Sequence, residues 1–495
     1  MREVMKNPPS EEIIKYIFEP MLVTDKEKYF RFNNYINKAH LMMLKSQGIV
    51  TEKTAKTLYQ AIRKLESEGV DALELDPNRE DISSCIEAYL IKECGAAIAG
   101  QLHTGRSRND MGGTTTRMSF REATLTIMDQ IDQLRDCMLR FAKNNIDAVC
   151  SGYTCAQPAE PVTIAYWFCA YLSALERDRA RLSDCWSRLN QSPLGACAMA
   201  GTTFDISREQ TAKDMGFIDP VMNCLDAIAA RDYILELFAD LSIFSVNLSR
   251  FCQDLYSYTT YEYGFLDVDS SVCMCSSIMP QKKNPVTFEH IKGRAAHLQA
   301  AFISASSAIK NTPYTQVRDS SVEAAHALTD SSEMVESCVQ LLIKTIDTMQ
   351  FNKEKMLKET RVNFSTVSEL ANCLVRSCGI SFRQAHSIVG MVVRILLDEN
   401  KVPTDISVEM VNNCAEEVLG KRLLITEETI MQALDPIKNV AARTHIGAPS
   451  KPAVIAQLKK LQAQLEMDKS ANYANRARLQ AAADHLETEI DTLLG

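Results

Sequence analysis

This chain is poor in the signals that announce a bound cofactor. Its 495 residues contain no Walker-type phosphate loop, no dinucleotide glycine fingerprint and no HExxH pair, so nothing in it points to a nucleotide or a metal. Sixteen cysteines are present, but no paired CxxC pattern, and the CMC of Cys273–Cys275 is too short for a zinc site. Reduced thiols in a cytoplasm fit that usage. Basic residues number 54 against 63 acidic ones, giving a net charge of −9, which argues against nucleic acid as a main partner. The richest apolar run, IAYWFCAYLSAL from Ile164, is too short and too interrupted to span a bilayer. The opening MREVMKNPPSEEIIKY has no apolar signal core. No membrane partner is expected.

Glycine is scarce too, at 18 residues, and long segments lack both glycine and proline, so helix should dominate. A hydrophobic content of 46% is enough for several cores. Ile127, Ile131, Leu134, Met138 and Phe141 alternate fours and threes along one seam. Ile234, Leu237, Leu241, Phe244, Leu248, Phe251 and Leu255 form another, and no proline falls between Pro220 and Pro280. Further long helices are expected near 160–190, 286–310 and 322–349. The expected fold class is therefore all-α, with three helical domains around a long five-helix bundle. Shorter helices, punctuated by Gly48, Gly69 and Asp76-Pro77-Asn78, fill an N-terminal domain over residues 1–111. The bundle covers 112–351 and a smaller helical domain covers 352–495. From Ser470 the last segment reads as a polar amphipathic helix with a solvated face. Seams alone would suit a scaffold that binds partners equally well.

Chemistry enters with CSSIMPQKKNP, Cys275 to Pro285. Two adjacent hydroxyls, a Met-Pro, lysines and an amide interrupt helical sequence with no packing reason to do so. Proton abstraction beside a carboxylate needs such a set: a base, and donors for the charge that builds up. Other compact motifs accompany it: HTGRSRND (His103–Asp110), GYTCAQPAEPVT (Gly152–Thr163), SPLGACAMAG (Ser192–Gly201), FRQAH (Phe382–His386) and LDPIKNVAAR (Leu434–Arg443), then GAPS.

In this order and spacing the motifs resemble the argininosuccinate lyase branch of the fumarase/aspartase superfamily, over most of the chain. The resemblance implies a carbon–nitrogen lyase that eliminates fumarate from an N-(1,2-dicarboxyethyl) amine or guanidine, with argininosuccinate the default substrate and no cofactor. Another N-succinyl amine or amino acid is the close alternative. A retained non-catalytic scaffold, of the kind the family supplies as lens crystallins, is the alternative from a different class. Family members are homotetramers whose bundles associate, here into a twenty-helix core, with each active site drawn from three chains.

The resemblance also implies roles. Ser276 holds the position of the catalytic base, and a serine hydroxyl needs nearby donors and positive charge, such as Lys282, to act so. Ser277, Met279, Asn284 and the loop amides surround the substrate carboxylate. Ser107, Arg108 and Asn109 match the segment that grips carboxylates, which suits a two-pronged guanidinium; Thr154 and Gln157 belong to the same side. Arg231 and Tyr314 match further pocket positions, although a structural Arg–Asp pair and a core tyrosine are open alternatives. Where the family has a histidine after GYT this chain has Cys155, beside a glutamate matching Glu289. The acid step is thus weakened, moved to another group such as His290 or His103, or unnecessary, since a thiol is a weak donor. The glutamine and lysine that hold the amino-acid end in the family fall at Asp319 and Val322. A family serine falls loosely near Met21, and a family histidine near Ser84. The loss of a positive charge and the gain of Asp319 imply a different amine part, one carrying more positive charge or lacking the carboxylate.

Overall fold

The computed structural model describes residues 5–495. Five long helices, Arg108–Lys143, Ile164–Leu189, Asp232–Tyr258, Val286–Ile309 and Leu328–Thr348, pack side by side as the bundle. Both apolar seams face its core: Ile127, Ile131, Leu134 and Met138 from one, and all seven residues of the other, are buried. Phe141 is only partly buried and stacks on Phe168 at 4.8 Å between ring centroids. The chain is all-α apart from two-stranded pieces, the longest being the antiparallel hairpin Val149–Thr154 with Gln157–Thr163.

A buried knot of charge ties the bundle to the last helix. Asp132 accepts from Arg135 at 2.8 Å and from Arg179 at 3.1 Å, and Arg135 also reaches Asp468 at 2.6 Å. Breaking one partner of such a network costs about 3–5 kcal/mol, because a charge is then left buried alone.

Three large hydrophobic clusters, beside a small fourth of Ala196, Val221, Ala227 and Ile228, divide the apolar interior: one gathers Phe32 to Met118 with Leu194 to Phe217 against them, one the bundle, and one Leu370 to Leu434. We propose these as the cores of domains spanning residues 1–111, 112–351 and 352–495. The final helix, Lys451–Leu494, has the exposed polar face expected of its sequence from Ser470 and buries an apolar stripe along its length. Its 44 residues run about 66 Å at 1.5 Å per residue, with Val454, Leu458, Leu461 and Leu465 in the bundle core and Leu486 and Ile490 in the N-terminal one. Most polar residues between are exposed, and some are partnered as well: Asn472 donates to the Leu125 carbonyl at 3.0 Å, and Glu487 takes Lys38 at 2.5 Å and Arg63 at 3.1 Å. Gly216 has φ +71°, and a Cβ there would meet Leu479 at 2.9 Å, so the helix also needs a glycine opposite. Among the described residues no helix is long and apolar enough to cross a membrane.

Inside the bundle Asp240 is 8% exposed and its Oδ2 has no partner. Burial, with Glu236 and Asp178 adding, pushes its pKa from 3.8 up to about 7 against the pull of Arg181 and Arg188. A carboxyl raised in this way binds its proton better folded than unfolded. Its stabilising contribution is complete below about pH 4 and lost as pH rises through about 7. Asp240→Asn should therefore raise the thermal midpoint at pH 8 by about 2–4 °C and much less at pH 5. Calorimetry at the two pH values checks this; equal shifts would show that Asp240 does not titrate in the native state.

Candidate active site

The residues singled out by the motifs fall at two ends of the bundle. At one end, Ser107 caps the Arg108–Lys143 helix, its Oγ accepting from the Asn109 N–H at 3.3 Å. Arg108 is ion-paired with Glu80 at 3.0 Å and Asp81 at 3.1 Å. Asn109 donates through Nδ2 to the Ala198 carbonyl at 3.2 Å. Behind them Asp110 is fully buried and accepts three backbone N–H groups: Ser107 at 2.8 Å, and Gly195 and Cys197 at 2.9 Å each. Burial pushes its pKa up to about 6, with those amides and Arg106 pulling the other way.

The same end holds Arg231, buried and donating to the Ala230 carbonyl at 2.6 Å and to Gln316 at 2.7 Å. Its partner is thus an amide, not the aspartate of a structural ion pair. Tyr314 is exposed, not core, and donates to Asp226. That bond, ahead of burial, pushes the phenol up to about 12. Asp319 is exposed and accepts the Ser320 N–H at 3.0 Å. Met21 is half-buried, while Ser84 is buried and bonds through N–H and Oγ to Asp81, both at 2.9 Å.

At the other end lie the hairpin and the serine loop. Thr154, Cys155 and Gln157 are exposed at the hairpin tip, where Cys155 and Ala156 have φ of 50° and 58°. Thr154 pairs with Gln157, so this is a two-residue reversal with both residues left-handed, a type I′ geometry that suits the strand twist but strains a side chain. The hairpin base is held by Ser151, bonded to Thr360 at 3.1 Å and to Asn363 at 2.9 Å. In the serine loop, Met274–Cys275 pairs antiparallel with Lys283–Asn284, closing residues 276–282 into a tip. Ser276 Oγ accepts from the backbone N–H groups of Met279 at 3.0 Å and Ile278 at 3.4 Å. Ser277, Met279 and Lys282 are exposed and Asn284 is half-buried. Glu289 is exposed and accepts from Tyr256 at 3.0 Å. His290 is exposed as well. His103 is half-buried at the opposite end, its pKa lowered by burial and then by Arg106.

The two ends are far apart. The Arg108–Lys143 helix has 36 residues, about 54 Å at 1.5 Å per residue, and it separates Arg108 from the hairpin. The Val286–Ile309 helix has 24 residues, about 36 Å, and it separates the serine loop from Tyr314 and Asp319. One chain cannot close both sets around one small molecule. At the hairpin end, moreover, no hydrogen bond or ion pair among the described residues joins Cys155 to Glu289 or to the serine loop. A broad groove lined by Lys143, Ile146, Ile455 and Leu458 holds none of the motif residues.

Several supporting residues escape a reading of motifs. His40 is fully buried and its ring Nε2 lies 2.8 Å from the Thr104 carbonyl, which makes it a neutral donor holding the turn before Ser107; burial, then Arg106, keeps its pKa well below the ordinary value. Asp226, Gln316 and Tyr256 come from segments with no motif. Asp110 alone carried a legible signal, the three-residue spacing from Ser107 that marks a capping box.

The family model described as Lyase matches residues 20–300, and that described as Argininosuccinate lyase C-terminal matches 364–441. Argininosuccinate lyase 1 of Shouchella clausii is 43% identical over 464 residues, covering 94% of this chain and 93% of its own length. Argininosuccinate lyase of Methanocaldococcus jannaschii is 38% identical over 460 residues, covering 93% of each. Among solved structures, a variant of EDDS lyase with bound fumarate superposes with a TM-score of 0.86 at 26% identity, over 99% of this chain and 97% of that one.

The strained tip yields a direct check. Glycine is at ease in the left-handed region where Ala156 sits. Ala156→Gly should stabilise the hairpin by about 1 kcal/mol, read as slower amide exchange across 149–163. Faster exchange would mean that the alanine methyl contributes packing that outweighs the strain.

Proposed function

The chain belongs to the argininosuccinate lyase branch of the fumarase/aspartase superfamily and is a fumarate-releasing carbon–nitrogen lyase, and from that premise we propose argininosuccinate as its substrate and Ser276 as its base. The observation that carries the base is the setting of Ser276 Oγ. It already accepts two backbone N–H groups, from Met279 and Ile278, and hydrogen bonds to the charged form favour an alkoxide over a hydroxyl. Lys282, exposed six residues on and paired with no described residue, supplies positive charge when the loop meets a substrate.

In this mechanism Ser276 takes a proton from the succinyl carbon next to a carboxylate. The electron pair moves into that carboxylate as an aci-carboxylate dianion, which Ser277, Asn284, Lys282 and the loop amides stabilise. The carbon–nitrogen bond then breaks, fumarate forms, and the guanidine leaves with a proton from Cys155 or from water. Met279 closes over the substrate. Ser107, Arg108, Asn109, Thr154 and Gln157 hold its carboxylates, with Arg231 and Tyr314 behind them. Arg108 exchanges its bonds to Glu80 and Asp81 for the substrate. Glu289, held by Tyr256, orients the leaving-group side.

The separation of the two ends supports assembly as a homotetramer, in which the serine loop of one chain meets Arg108 of another. The outer face of the Val286–Ile309 helix supports it as well: Gly293, Ala296, Ala300, Ser304 and Ser307 are exposed beside an exposed Ile303, and small residues let helix backbones approach closely. A cytoplasmic setting agrees with sixteen cysteines, all free among the described residues.

One observation favours a second reading of the leaving group. Asp226 reaches Tyr314, and Asp319 lies exposed five residues further on. Two carboxylates at the proposed amine end suit a polyamine or a decarboxylated guanidine better than an amino acid's own carboxylate. Fumarate release from a panel of N-succinyl amines, followed by ultraviolet absorbance, separates the two.

Ser276→Ala should lower turnover by about a thousandfold or more while the elution volume on gel filtration stays the same; retained turnover would remove Ser276 from the role of base. Cys155→His should fold normally and give the rate profile an inflection between about pH 6 and 7. An unaltered profile would take position 155 out of proton transfer.

A further inference from the structure

Asp110 closes the motif HTGRSRND, and its carboxylate ties that motif to the backbone of SPLGACAMAG through Gly195 and Cys197. We propose that Asp110 is a positioning residue that locks the Gly195–Ala198 turn to the first turn of the Arg108–Lys143 helix, so that Arg108 and Asn109 meet a substrate carboxylate from a fixed backbone. This deepens the assignment of Arg108 and Asn109 to substrate binding and rests on it.

A helix cap alone would occupy one oxygen. Here Oδ1 accepts the Ser107 N–H, as a capping box requires, while Oδ2 accepts both Gly195 and Cys197. The turn it holds is demanding. Cys197 has φ +54° without being glycine, and Gly195 has φ +83° where a Cβ would lie 2.7 Å from Arg208 Cγ and 3.0 Å from Ile206 Cδ1. Arg208 braces the turn from behind by donating to the Leu194 carbonyl at 3.0 Å. The turn then presents the Ala198 carbonyl to Asn109 Nδ2 at 3.2 Å, so the side chain of Asn109 is oriented by the segment that Asp110 secures. Backbone held from both sides in this way is what keeps a binding group within the narrow tolerance that carboxylate recognition needs.

Asp110→Asn keeps the size but offers one acceptor oxygen, so either the helix cap or the turn is released. In the assembled enzyme, KM for the succinyl substrate and the inhibition constant of fumarate should rise together about tenfold, with kcat changed less than about threefold. A variant with a lower thermal midpoint but unchanged fumarate inhibition would overturn the proposal, since a purely structural role moves only stability. Asn109→Ala in the same assay distinguishes the two layers. If it weakens fumarate and Asp110→Asn does not, the coupling through Asp110 is wrong. If neither weakens it, the assignment of this turn to substrate has failed and the proposal falls with it. Should Asp110→Asn not fold, hydrogen exchange on the unmodified enzyme decides: saturating fumarate should slow exchange in a peptide spanning 193–200, and an unchanged rate would overturn the coupling.

Discussion

A continuous helix advances about 1.5 Å for every residue and cannot be shortened without breaking its hydrogen bonds. That constraint governs the molecule. The 36 residues of Arg108–Lys143 and the 24 of Val286–Ile309 act as struts that set Ser107, Arg108 and Asn109 at one end and the hydroxyl-bearing loop and hairpin at the other. Helices of this length are stable because their seams bury Ile127 to Met138 and Ile234 to Leu255 in one shared core, and because the Asp132, Arg135, Arg179 and Asp468 knot fixes their relative rotation. Within one chain the two sets of motif residues are therefore held apart.

The motif segments at the hairpin end are correspondingly short, irregular and exposed. The serine loop is closed only by the two-residue ladder of Met274–Cys275 with Lys283–Asn284, and the hairpin tip turns on two left-handed residues. Each stands on a rigid base. The hairpin is anchored through Ser151 to the segment around Asn363, and the serine loop runs directly into a long helix.

Much of this was legible without coordinates. Threes and fours in the apolar spacing located the bundle helices to within a few residues, because a buried helix face enforces that period. The SSxMPxKxNP string located the loop, since no packing demand would place two hydroxyls, a lysine and an amide there together. The last helix was less legible. Its second half reads as solvated and is largely exposed, but the sequence did not show that Asn472, Arg476 and Glu487 also meet partners on three other helices. Polar composition alone does not tell which side chains of an exposed face also pair with neighbouring helices.

By itself, then, the sequence determined the fold class, the family and the order of the motifs along the chain, all of which follow from local periodicity and from residue strings that need no partner to be recognised. Only the tertiary structure decided which residues share an end of the bundle, that Asp110 holds Gly195 and Cys197, that Tyr314 leans on Asp226 and Arg231 on Gln316, and that Glu289 has Tyr256 beside it. Those pairings join residues up to roughly 90 positions apart, and the separation in space of two groups joined by folded chain depends on the path of every helix between them.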